Sequence, residues 1–124
     1  MNPANMLRLV RRNVQTFGQN ISWNDFPLIE GEREQMVPDT ANPIARQARA
    51  IIVKEKYAPI ASFAASIGIS FDSTSYLIGL PDLQIEKNMV ITDESNQKWK
   101  LDVVEPWRIG STPVAKISSL TEVS

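Results

Sequence analysis

Glu30, Glu32 and Glu34, spaced two apart, and the adjacent pair Asp93-Glu94 are the groups in this 124-residue sequence nearest to an acid–base arrangement. Two carboxylates held together can divide the roles of general acid and general base, and a serine beside a lysine can act as a nucleophilic dyad. Neither arrangement has a distinguishing spacing here, and adjacent acids at a hairpin turn are ordinarily just solvated. The chain has no cysteine and no histidine. That removes disulfides, thiolate chemistry, the commonest zinc ligands and the usual base near neutral pH. With only five glycines and no phosphate-cradling loop, the expectation is that the chain is not an enzyme and carries no cofactor or metal.

Charge suggests a binding role instead. Arg8, Arg11 and Arg12 stand with no acid before Asp25, whereas Glu30, Glu32 and Glu34 have only Arg33 among them. Opposite charges on separate segments could pair between copies of one chain, although each cluster also reads as an ordinary solvated face. Thirteen basic and fourteen acidic side chains leave a net charge of −1, which argues against coating a phosphate backbone. A strand gripping nucleic acid would interleave basic and aromatic residues on one face. In Lys98-Trp99-Lys100 the period of two puts the lysines opposite the tryptophan.

The elements that must position these residues follow from patterning. At 43% apolar and 22% charged residues, the sequence fits a single folded domain spanning 1–124. Its apolar runs are far too short to cross a bilayer, and Arg8 interrupts Met1 to Val10, so neither a membrane span nor a secretion signal is expected. Asn2 can cap and Pro3 can open a helix, with Met6, Leu7 and Val10 on one face, which predicts a short N-terminal helix within 1–12. Asn13 to Ile21 leans to β through Val14, Thr16 and Phe17 and reads as the first strand. A long interaction loop is expected over 23–45. It carries prolines, the glutamate cluster, and Trp23, Phe26, Leu28, Ile29, Met36 and Val37, which suit a loop that orders against another surface.

Ala45 to Lys56 reads as a central strand, apolar on both faces at its middle. Pro59 to Ile67 has helical spacing and Ile67, Ile69 and Phe71 alternate, predicting a helical turn and then a strand. Ser75–Leu80, Met89–Thr92, Gln97–Glu105 and Thr112–Leu120 are further strands. In the third of these, Trp99, Leu101 and Val103 should face inward, with a hairpin connection at Asp93–Asn96. Pro106 to Gly110 reads as a wide turn, and Trp107 either packs over a barrel end or meets a partner. The expected fold is mainly β: a small closed or partly open antiparallel barrel of six to seven short strands with a short leading helix.

The order of these parts, and above all the run "LPDLQIEKNMVITDESNQKWKLDVVEPWRIGSTPVAKISSL", resembles the head-tail connector proteins of tailed bacteriophages, known as stopper, head-completion or neck proteins. The resemblance rests on the helix with Leu7 to Arg12, the strand at Val14 to Phe17, the long loop, the strand at Ala48 to Lys54, and the closing hairpin with its "VVEP" bend. It implies a structural virion protein, assembled in the host cytoplasm, that forms a homo-oligomeric ring at the neck. Its implied partners are copies of itself, the portal or adaptor, and the tail or tail-terminator proteins, with genomic DNA passing through the channel without tight binding. Subunit and partner contacts are expected at Arg8, Arg11, Arg12, Trp23, Phe26, Glu30, Glu32, Glu34, Met36 and Trp107. The alternatives are a tail-terminator-type ring protein and a single-stranded nucleic-acid-binding module of the OB type.

Overall fold

In the computed structural model, residues 2–26, 28–31, 35–54 and 75–123 are described. Helix α1 spans Pro3–Phe17, five residues beyond the expected end. Asn2 caps it, its Oδ1 accepting the Ala4 N–H at 2.7 Å, and Pro3 fills the first turn. Met6, Val10 and Val14, each four residues apart, form the buried stripe. Val14 and Phe17 were expected in a strand, but burying Val14 in that stripe outweighs the modest β leaning of this segment. Gly18 ends the helix, and the Arg49 guanidinium reaches across to the carbonyls of Gln15 and Gly18. It supplies from a strand the cation that the last helical turn itself lacks.

The strands are β1 (Gln19–Asp25), β2 (Leu28–Glu30), β3 (Met36–Pro38), β4 (Ile44–Val53), β5 (Ser75–Gly79), β6 (Val90–Thr92), β7 (Lys98–Ile109) and β8 (Thr112–Val123). Six of them close into an antiparallel barrel in the order β1-β4-β5-β8-β7-β6, with Ser22 opposite Thr92 completing the circle. The fold is therefore mainly β with one N-terminal helix. The first strand lies later than expected, at Gln19–Asp25, and β2 and β3 form a separate two-stranded hairpin inside the supposed loop. The helical turn and strand expected between Pro59 and Phe71 lie outside the described residues.

One cluster fills the barrel, with Ile21, Ile52, Leu77, Ile91, Trp99 and Leu101 contributed by five strands. Leu83 and Ile85, from the connection after β5, also pack into it. Their approach is close: a Cβ on Gly79 would come within 2.5 Å of Leu83 Cδ2. A second cluster lies outside the wall, where α1 covers Ile51, Val53, Ile78 and Val114. The two clusters explain why Ala50 to Val53 is buried at every position: the even residues line the interior and the odd ones meet the helix.

Strand β7 departs from the expected pattern in an instructive way. Leu101 pairs with Leu120 but Val103 pairs with Ser119, so Asp102 is an extra residue, a bulge whose carboxylate accepts a hydrogen bond from the Thr121 hydroxyl. One inserted residue reverses the alternation. Val103, expected inside, is consequently 50% exposed, and Val104 packs on the interior cluster instead. Nor is Pro106 to Gly110 a wide turn. The strand continues to Ile109, opposite Thr112, and Gly110-Ser111 forms a two-residue loop with Gly110 at φ +62°. Positive φ at the first central position is what a type II′ hairpin turn demands.

Candidate functional site

The β2–β3 hairpin leaves the barrel between β1 and β4. Register pairs Leu28 with Pro38, Ile29 with Val37 and Glu30 with Met36. Alternation therefore puts Leu28, Glu30, Met36 and Pro38 on one face and Ile29 with Val37 on the other. All six residues are exposed, Leu28 to 60% and Met36 to 59%. An isolated two-stranded hairpin is marginal in water, and one with apolar side chains uncovered on both faces has most to gain from a second surface. Phe26, at its base, is also exposed. Glu30 lies at the hairpin's far end and makes no ion pair among the described residues. Glu32 and Glu34 fall outside the described residues.

Behind the hairpin, β1 and β4 run on as a two-stranded ribbon past the barrel wall. They pair as far as Asp25 with Ile44, whereas β4 meets β5 only from Ile51 to Val53. Arg46 Nε donates to Asp25 Oδ2 across this ribbon at 2.9 Å, both groups being partly exposed. Between the ribbon, α1 and the turn after β5 lies a cleft of about 500 Å³, with Val14, Leu80 and Leu83 in its floor and Arg11, Arg46 and Arg49 around it. Asp82 is its one acid.

Arg8, Arg11 and Arg12 are all exposed on α1; Arg8 and Arg12 lie opposite the Met6-Val10-Val14 stripe, whereas Arg11, three residues before Val14, flanks it. Of the three, the structure brings Arg11 to the cleft. Trp23 is not the exposed loop side chain expected, although its remaining surface lines the cleft. It is 7% exposed and belongs to the barrel interior, because its strand turns alternate residues inward and Ile21 and Trp23 share the inner face. Trp107 packs on the outer cluster beside α1 and is half-buried. Both indole N–H groups are buried without a hydrogen-bond partner among the described residues.

Asp93, read from the sequence as one of a solvated pair of acids, has a buried structural role. Expected to be solvated, it is 6% exposed. Its Oδ1 accepts from the Ser95 amide, the Ser95 hydroxyl and the Gln97 amide, and its Oδ2 accepts from the Trp99 indole at 3.0 Å. Burial pushes this carboxyl up, but the bonds from Trp99, Ser95 and Gln97 together outweigh it and hold the group below the ordinary aspartate range. The Asp93 carbonyl accepts from Asn96 N–H, and Asn96 sits at φ 65°, so side chain and backbone set the hairpin together. The usable signal was an aspartate two residues before a serine and six before an inward tryptophan.

Lys98 and Lys100 point outward while Trp99 is buried, as the alternation required. The Lys54 ammonium lies 5.7 Å from the Trp99 ring centre. Among the described residues no group of three or more His, Cys, Asp or Glu side chains is placed to hold a metal ion. What the arrangement offers chemically is an apolar projecting arm and a separate basic cleft, two unlike surfaces on one chain. Comparison with family models, curated proteins and solved structures finds no match for this chain.

Proposed function

We propose that the chain is a structural protein of a tailed-phage neck, forming a homo-oligomeric ring that joins the portal or adaptor to the tail and continues or closes the DNA channel. The observation that carries the reading is the β2–β3 arm, which projects from a closed barrel with Leu28, Ile29, Met36 and Val37 uncovered. A closed barrel has no long free sheet edge through which to join its neighbours, so an arm is an economical way to associate. Arm and cleft are different patches, and contacts between unlike patches generate rings when the rotation closes. The net charge of −1 suits the wall of a conduit, since each phosphate a channel neutralises would slow the passage of DNA.

The resemblance of the closing run from Leu80 to Leu120 to head-tail connectors suggests the location, and electron microscopy tests it. Gold-labelled antibody against the chain should mark the head-tail junction of the particles, and image averaging there should resolve a ring. Labelling elsewhere, or none, overturns the reading. A gel shift separates it from a single-stranded nucleic-acid binder: the ring protein should retain little oligonucleotide at physiological salt, and tight retention there would favour the binder.

A further inference from the structure

We infer that the acceptor for the β2–β3 arm is the cleft between α1, the β1–β4 ribbon and the turn after β5 on a second copy of this chain. The inference rests on the ring-forming reading and identifies the two surfaces that meet. Three features of the arm match the cleft. The arm's most exposed apolar side chains, Leu28 and Met36, share one face with Glu30, and the cleft has an apolar floor of Val14, Leu80 and Leu83 with arginines around it. Charge agrees as well: Glu30 lies on the same arm face as Leu28 and Met36, whereas the cleft carries three arginines against Asp82.

Availability is the third feature. Arg46 is engaged by Asp25 and Arg49 by the end of α1. Arg11 makes no hydrogen bond or ion pair among the described residues, and neither does the Glu30 carboxylate. A volume of about 500 Å³ takes several side chains, enough for Leu28 and Met36 with a carboxylate at the mouth. Docking that face would cover the apolar surface that makes the free arm unfavourable and pair Glu30 with Arg11 at a partly desolvated rim. Donor arm and acceptor cleft are different patches, so the contact closes a ring where each arm reaches the next copy and not back to the one that fills its own cleft.

The chain contains no cysteine, so introduced thiols report unambiguously. Two single variants, Met36→Cys in the arm and Gln84→Cys at the cleft, are mixed and oxidised; a disulfide-linked dimer should form in the mixture at least tenfold faster than when Met36→Cys is mixed with Val103→Cys on another part of the wall. Independently, Arg11→Glu should weaken self-association about tenfold or more by equilibrium sedimentation, and adding Glu30→Arg should restore it. Both substitutions are at exposed positions, so circular dichroism should be unchanged. Equal cross-linking to Val103→Cys, or no rescue by the charge swap, overturns the inference. A ring at the neck without the Met36–Gln84 cross-link would sink the acceptor assignment and leave the connector reading standing. The cross-link together with absence from the neck would do the reverse.

Discussion

Asp93 shows how a surface-looking acid becomes part of the fold. Its four hydrogen bonds tie the β6–β7 turn to the inner tryptophan, so losing the carboxylate strands the Trp99 N–H in the barrel interior. Removing a charged acceptor from buried donors costs about 2–3 kcal/mol, and Asp93→Ala should lower the melting temperature by about 10 °C. The pH dependence has a definite sign. Because the folded carboxyl is more acidic than the unfolded one, the unfolded chain binds the proton first as pH falls. The stabilisation is complete well above the ordinary aspartate value and is lost as pH drops through it towards the lower folded value. Thermal melts of the native chain should therefore fall off below about pH 4, and Asp93→Asn should start less stable at pH 7 and show a shallower decline. Parallel pH profiles for the two proteins would contradict this assignment. The sequence concealed the role because Asp93-Glu94 looks the same whether or not a tryptophan from the returning strand closes over it.

At the scale of elements, strand β7 supplies the sharpest check. Hydropathy cannot place the bulge, since Val103 and Val104 are the same residue type and either could continue the stripe begun by Trp99 and Leu101. Pairing decides it: the extra Asp102 turns Val103 out and Val104 in. Val103→Asp should thus change stability by no more than about 0.5 kcal/mol, whereas Val104→Asp, which forces a charge against the interior cluster, should cost upwards of about 2 kcal/mol. Denaturant melts of the pair distinguish this phase from simple alternation, which gives the opposite order. Much of the rest was legible. The cap at Asn2-Pro3, the doubly buried middle of β4, the Asp93–Asn96 hairpin and the inward Trp99 all follow from local chemistry or period. The end of α1 is hidden because β-leaning residues after Arg12 suggest a strand, while the deciding fact, Val14 sitting four residues after Val10, only matters once a sheet lies underneath. The strand position of Trp23 is hidden for a related reason: prolines and glutamates downstream make its surroundings read as loop, although Ile21 and Trp23 already alternate.

For the whole molecule, the legible part of the candidate site was composition: an apolar, acidic segment after the first strand and a basic N-terminal helix. Its geometry was not, because the cleft is assembled from α1, β4 and the turn after β5, which meet only when the barrel closes. The proposed ring makes a further demand on the arginines. Arg8, Arg11 and Arg12 are exposed and none belongs to the buried Met6-Val10-Val14 stripe of α1, so reversing all three to glutamate leaves the packing of the barrel intact. Monomer stability should shift by less than about 1 kcal/mol, the usual range for exposed charges. Assembly is affected differently, since like charges would then face the acidic arm of the neighbouring copy across the contact. Screening sets the pattern: with a Debye length of about 30 Å at 0.01 M salt and about 8 Å at 0.15 M, the defect should be largest at low salt and shrink as salt is added. Light scattering of the native and triply reversed chains across that range reads it directly. A reversed chain that assembles as well as the native one at low salt would mean that the basic helix face belongs to solvent, and the charge complementarity argued for the ring would have to be sought elsewhere on the barrel.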